Sequence, residues 1–177
     1  MAAQPLIHDI DPRRTESAIR LARPRPADGR ELWRIARDSR SLDLNSPYAY
    51  ALWCRDFADT SVVAHGPGGP CGFVTGYLRP GAPDTLFVWQ VAVDDRHRGR
   101  GLAHRMLDEL AARRPGVRHL EATVTPGNTA SARLFESFAR RRGCALVRRE
   151  LFGPAMFPDE HAAHEPEVLY RIGPFAR

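Results

Sequence analysis

With 177 residues, 43% of them hydrophobic and 27% charged, the chain has material for one domain around one core, and it contains no apolar run near the ~18 residues of a membrane span. All 26 basic residues are arginine and the net charge is +5, a uniform usage that reads as codon bias rather than a nucleic-acid surface, although an anionic small molecule would suit the field. Three widely separated cysteines, Cys54, Cys71 and Cys144, argue against a disulfide framework or a zinc site and fit a reducing cytoplasm.

Residues 1–17 are polar and proline-punctuated and read as a flexible tail, with acid at Asp9 and Asp11 and no apolar run of the kind a secretory signal needs. A single domain is expected over 18–177. A short strand over 19–23 leads through Pro24 and Pro26 to a helix over 29–37, where Leu32, Trp33, Ile35 and Ala36 recur near helical spacing. Ser46 is a good N-cap, and Pro47 suits the first position of a second helix. Strands over 60–65 and 71–78 flank the turn 66–70 and form a hairpin. After a turn at 79–84, TLFVWQVAV (85–93) is nearly continuous in apolar residues and predicts a central strand buried on both faces. A helix over 102–113, a strand over 119–125, a helix from Asn128 to about 142 and strands over 145–151 and 168–172 complete the chain.

The sharpest signal lies between 91 and 107, VAVDDRHRGRGLAHRML. A buried strand ends, a tight loop carries Gly99 and Gly101, and an amphipathic helix begins. Glycines there let a ligand approach the backbone, and the first amides of a helix have no internal acceptor. A diphosphate is the expected guest, drawn also by the helix dipole and by Arg96, Arg98 and Arg100. No G-K-[ST] follows, so this is not a Walker loop; an ordinary strand-to-helix connection is the plainer alternative.

Arg96-His97-Arg98-Gly99-Arg100-Gly101 matches R-x-x-G-x-G, and NTASARLF (128–135) opens the later helix. On these two motifs and the element order, the chain resembles the GNAT superfamily of N-acetyltransferases over about residues 19–172. That resemblance implies an α/β fold with a central, mixed, mostly antiparallel twisted sheet of about seven strands, flanked by about four helices. It implies acetyl-CoA as co-substrate and no metal. The backbone of Val91 and Val93 would pair with the pantetheine arm, the amides of Arg98, Gly99, Arg100, Gly101, Leu102 and Ala103 would hold the diphosphate, and Asn128 would touch the coenzyme besides capping its helix. Many members carry a tyrosine seven residues after the asparagine as general acid; here that residue is Phe135.

An amine nucleophile has a pKa near 10, by analogy with lysine, so a group near the strand ends must accept its proton. Three segments offer candidates: Asp43, Asn45, Tyr48 and Tyr50; Trp89 and Gln90; and the late loop 157–167 with Asp159, Glu160, His161, His164, Glu165 and Glu167. Core packing for Tyr48 and Trp89, a turn for Asp43 and a solvated acidic loop for 157–167 are the plainer readings. His161 and His164 form H-x-x-H, but no third ligand is fixed by spacing, so a metal is not expected.

The segments DLNSPYAYALWCRDFADTSVVA, LFVWQVAVD, RGRGLAHRML and HEPEVLYRI are together similar to one branch of the superfamily, the diaminobutyrate-acetylating enzymes. That branch implies N4-acetylation of L-2,4-diaminobutyrate on the route to the compatible solute ectoine. Asp43, Leu44, Asn45, Tyr48 and Trp89 would then bind the substrate, and Glu165 with His164 would serve catalysis. A cytoplasmic homodimer without nucleic-acid or membrane partners is expected. The alternatives are a GNAT enzyme for another small amine (polyamine, antibiotic or peptide N-terminus) and a CoA-binding module without turnover.

Overall fold

The computed structural model describes residues 19–158 and 164–176; the proposed tail and the candidates Asp159, Glu160 and His161 lie outside these residues. Seven strands form one sheet in the order β1-β2-β3-β4-β5-β7-β6: β1 (Arg20–Ala22), β2 (Val62–Gly66), β3 (Gly69–Arg79), β4 (Ala82–Val93), β5 (His119–Val124), β6 (Leu146–Phe152) and β7 (Glu167–Ile172). The β4–β5 pair is parallel and every other pair is antiparallel. Among the described residues four α-helices flank the sheet: α1 (Gly29–Ser39), α2 (Pro47–Asp56), α3 (Leu102–Arg113) and α4 (Thr129–Arg141). No described helix is long and apolar enough to cross a membrane.

Local chemistry sets the helix starts. Pro47 stands at N1 of α2, and the Ser46 side chain accepts the Ala49 amide. Asn128 caps α4 through the Ser131 amide at 3.1 Å. α3 has no side-chain cap at all; its N-cap is Gly101 at φ 70°. The hairpins are tighter than expected, because β2 and β3 pair as far as Gly66 with Gly69, and β3 and β4 as far as Arg79 with Ala82.

Each face of the sheet has its own core. Leu86, Val88, Leu120, Ala122 and Val124 pack with Leu102, Met106, Leu110, Phe135 and Phe138 under α3 and α4. Val63, Phe73 and Ala92 pack with Leu32, Ile35, Tyr50 and Cys54 under α1 and α2. β4 is central as expected, but it is not buried on both faces. Trp89 is 49% exposed, and Phe87, Val91 and Val93 are only partly covered.

The reason is a β-bulge. Thr75 pairs with Gln90 and Gly76 with Val88, so Trp89 is the extra residue. A bulge sets two consecutive side chains on one face and reverses the alternation beyond it. Trp89 and Gln90 accordingly both turn toward α2. Before the bulge Leu86 and Val88 face α3 and α4; after it Val91 and Val93 do.

Candidate active site

The same bulge marks where β4 leaves β5. The parallel ladder ends at Val88 with Ala122, while β5 continues to Val124 beside β7. Past this point, among the described residues, β4 pairs with β3 alone. The Asp94 amide donates to the Cys71 carbonyl across β3 at 2.9 Å. By strand alternation Ala92 and Gln90 also direct their backbone groups at β3, and those of Val91 and Val93 face the gap. Arg98 Nε already donates to the Val93 carbonyl at 3.1 Å.

A cleft of about 750 Å³ opens on the gap. It is lined by Val91 and Val93, by Gly99, Gly101, Leu102 and Ala103 at the start of α3, and by Asn128 on α4. Gly99 and Gly101 hold φ of 75° and 70°, and a Cβ on either would meet nothing within 4 Å. The amides of Gly99, Gly101, Leu102 and Ala103 have no hydrogen-bond acceptor among the described residues, and Arg105 makes the first intrahelical bond, to the Gly101 carbonyl. One donor of the expected set is already spent: the Arg98 amide bonds the Asp95 carbonyl at 3.3 Å, closing a 3-10 turn. Arg98 contributes its side chain instead, paired with Asp95 at 2.8 Å. Arg100 does not line the cleft. The remaining amides at an uncapped helix end fit a diphosphate.

α1 braces the far end of β4. Arg34 bonds Glu31 at 2.7 Å and Asp94 at 3.1 Å, and its pKa is raised by these bonds against the opposing effect of burial. For Asp94, burial pushes the pKa up, but the Arg96 amide and Arg34 outweigh it and hold the carboxyl below its ordinary value.

A second cavity, about 180 Å³, is lined by the preceding residues of β4 and lies under α2. Its walls are Asn45, Ala49, Tyr50, Leu52, Trp53, Phe57, Thr75, Trp89 and Gln90. Trp53 and Trp89 meet edge to face at 4.7 Å, and the buried Trp53 Nε1 has no acceptor among the described residues. Tyr50 Oη donates to Gln90 Oε1 at 2.9 Å, and Gln90 Nε2 donates to the Asp43 carbonyl at 2.8 Å. Burial raises the Tyr50 pKa, opposed by hydrogen bonds to Gln90 and Asn45.

Of the residues expected to bind substrate, the structure therefore brings Asn45 and Trp89 to this cavity. Asp43 reaches it through its carbonyl, on Gln90, while its side chain is exposed. Leu44 and Tyr48 are 47% and 72% exposed and do not line it. Glu165 and His164 precede β7 and line neither cavity. The Glu165 carboxylate accepts the Gly127 amide at 3.0 Å, at the turn between β5 and α4. His164 stacks on Phe157 at 3.8 Å, and its Nδ1 lies 2.6 Å from the Glu165 carbonyl. A carbonyl only accepts, so Nδ1 is the donor in this contact. Phe135, at the tyrosine position, is buried beside Tyr170 and lines no part of the cleft.

Tyr50 and Gln90 are sequence candidates whose role only the structure assigns, and nothing in the sequence marks Trp53. Gln90 carried a usable signal, a lone amide inside an apolar strand. Among the described residues no group of three or more His, Cys, Asp or Glu could hold a metal.

A splayed parallel pair with an uncapped, glycine-turned helix start beside it defines a coenzyme-A-dependent acyltransferase, and the comparisons agree. The acetyltransferase (GNAT) family pattern matches residues 28–139, and the chain belongs to that family. It is 61% identical over 165 residues to an L-2,4-diaminobutyric acid acetyltransferase of Streptomyces coelicolor, covering 91% of this chain and 96% of that one. It is 59% identical to the protein of that name from Streptomyces avermitilis, covering 89% of each. Among solved structures, the diaminobutyrate acetyltransferase EctA of Paenibacillus lautus, in complex with L-2,4-diaminobutyric acid and coenzyme A, aligns with a TM-score of 0.85 and 43% identity, over 90% of this chain and 96% of that one.

Proposed function

We propose that the protein transfers the acetyl group of acetyl-CoA to N4 of L-2,4-diaminobutyrate, releasing CoA and N4-acetyl-L-2,4-diaminobutyrate, the acetylating step toward ectoine. One observation carries this reading: two cavities are lined from consecutive β4 residues, Trp89 and Gln90 in one, Val91 to Val93 in the other. The larger suits a long anionic thioester, and the smaller suits a short diamino acid. Relatives named for this substrate at 61% and 59% identity support the choice of amine.

Acetyl-CoA supplies an activated acyl group. The chain's part is to hold, orient and deprotonate. Amides at Gly99, Gly101, Leu102 and Ala103 bind the diphosphate, and Asn128 contacts the same coenzyme. Val91 and Val93 align the pantetheine arm as an added strand, and a gap-facing amide of β4 stabilises negative charge on the acyl oxygen. Asn45 donates to the α-carboxylate and Trp89 walls the carbon chain, while Asp43, on the loop that Gln90 ties down, holds the α-ammonium by a charge-assisted bond; Leu44 and Tyr48, exposed outside the cavity, take no part. Fixing the α end aims the N4 amine at the thioester. His164 accepts the amine proton at Nε2, with Glu165 locking residues 164–165 onto the turn at Gly127 beside the gap. The enzyme works as a homodimer in the cytoplasm; three free cysteines suit that compartment, and the exposed Tyr48, Val147, Phe152 and Met156 offer apolar surface for a second copy.

Mass spectrometry of the product formed from acetyl-CoA and L-2,4-diaminobutyrate tests the reading. Acetyl on N4 is expected. Acetyl on N2, or faster turnover of a polyamine or a peptide N-terminus, overturns it.

A further inference from the structure

The large cleft does not stop at the start of α3. It continues along α4, where Arg133, Ser137 and Arg140 form its wall and His104 of α3 faces them. Residues at i, i+4 and i+7 share one stripe of a helix, so these three side chains lie in a row. His104 Nε2 and Ser137 Oγ share a hydrogen bond across the two helices. Among the described residues, none that lines the cleft is Asp or Glu, in a chain with 21 of them.

The arginines of α4 divide by face. Arg141 and Arg142 both pair with Asp108, at 3.4 and 3.1 Å. Arg133 and Arg140 face the cleft and have no carboxylate partner among the described residues. Two unneutralised guanidiniums, a hydroxyl and an imidazole on an acid-free wall make a receptor for a dianion.

We propose that this wall binds the 3′-phosphate of the coenzyme's ribose, so that the protein distinguishes CoA from its 3′-dephospho form. The inference rests on the proposed acetyl-CoA reading. With the diphosphate on the turn at 99–103 and the pantetheine arm on Val91 and Val93, the coenzyme's remaining charge lies on the opposite side of the diphosphate from the thiol. That is where the cleft runs toward Arg140. A phosphate monoester carries nearly two negative charges and three acceptor oxygens, enough for both arginine forks and the Ser137 hydroxyl. Burial, then Arg141, lowers the His104 pKa while Asp108 opposes them, and a dianion beside the ring acts in the opposite direction, favouring the protonated form.

Calorimetric titration of the whole chain with CoA and with 3′-dephospho-CoA tests this without requiring turnover. The wild type should bind the dephospho form at least about tenfold more weakly, the size expected of two charge-assisted hydrogen bonds. A double variant, Arg133→Ala with Arg140→Ala, should bind CoA as weakly as the wild type binds dephospho-CoA and should no longer separate the two; both side chains are exposed, so the fold should hold. Ser137→Ala should narrow the gap between the ligands. Equal wild-type affinities, or discrimination retained by the double variant, would overturn the phosphate assignment alone. No binding of either ligand would overturn the coenzyme reading with it.

Discussion

Tyr50 and Gln90 are joined by a 2.9 Å hydrogen bond from the phenol to the amide oxygen, and the other end of that amide holds the Asp43 carbonyl at 2.8 Å. Both side chains are buried, at 3% and 6% exposure. The relay thus fixes the 40–46 loop to the bulged strand through α2, and it does so beside the proposed amine pocket. Tyr50→Phe keeps the ring and its edge contact with Phe73 but leaves Gln90 Oε1 without its donor. The cost should be about 1–2 kcal/mol of stability, read in urea unfolding. Because the loop carries Asp43 and Asn45, KM for diaminobutyrate should rise about fivefold while KM for acetyl-CoA stays unchanged, the factor that ~1 kcal/mol of lost positioning gives. Equal rises in both constants would make the relay purely structural.

Gly101 tests the diphosphate turn. At φ 70° it stands in left-handed backbone, yet a Cβ there meets no protein atom within 4 Å. The penalty of Gly101→Val is therefore conformational, about 1–2 kcal/mol, with the new side chain crowding only the ligand. Coenzyme affinity should fall at least tenfold, on the order of the amides lost. Gly101→Asn, which tolerates this backbone region, should keep the fold and lose less affinity. Calorimetric Kd values for both variants decide the point.

The framework was legible in the sequence because its signals are local. Ser46-Pro47 announced α2, Gly99 and Gly101 announced the turn before α3, and Asn128 announced the cap of α4. What stayed hidden depends on pairing. The run at 85–93 reads as a doubly buried strand because a bulge leaves no mark in composition. Only the register of Thr75 with Gln90 and Gly76 with Val88 shows that Trp89 and Gln90 share a face. Tyr50 and Tyr48 look alike in PYAYAL, but at two residues' spacing on a helix they point apart, one into the core and one to solvent. Arg98 looked like an amide donor until the 3-10 turn before it claimed its N–H.

Phe135 bears on the missing general acid. The ring is 2% exposed and lies 6.3 Å from the ring of Tyr170, within the core under α4. Phe135→Tyr would set a hydroxyl among apolar neighbours and should destabilise the protein by about 1–3 kcal/mol. Turnover should not increase. A large rise in kcat would show that the new hydroxyl reaches the leaving thiolate and that this ring is not fixed in the core.

Glu121 is a charge in the sheet with its own arithmetic. It is 2% exposed and is paired with Arg79 at 3.0 Å and with Arg171. Glu121→Ala leaves two guanidiniums facing each other across β3, β5 and β7. Breaking a buried pair typically costs about 3–5 kcal/mol, and the partial exposure of both arginines reduces the expectation to about 2–3 kcal/mol. Urea unfolding should show that loss, and adding Arg171→Ala should recover part of it.

His104 sets an acid limit on the fold. Its pKa is lowered in the native protein, first by burial and then by Arg141, against a smaller opposing effect of Asp108. In the unfolded chain an imidazole titrates near 6.5. A depressed native pKa means that the unfolded state takes up the proton first as pH falls. The contribution to stability is therefore complete above about 6.5 and is lost progressively below it. Unfolding free energies should decline from pH 7 toward pH 5, and His104→Gln, which removes the titrating group and can still bond Ser137, should flatten that slope. With CoA bound, the phosphate beside the ring favours the imidazolium, so the decline should shrink in the wild type and not in His104→Gln. A slope in that range unaffected by either the variant or the coenzyme would place the acid sensitivity elsewhere in the chain.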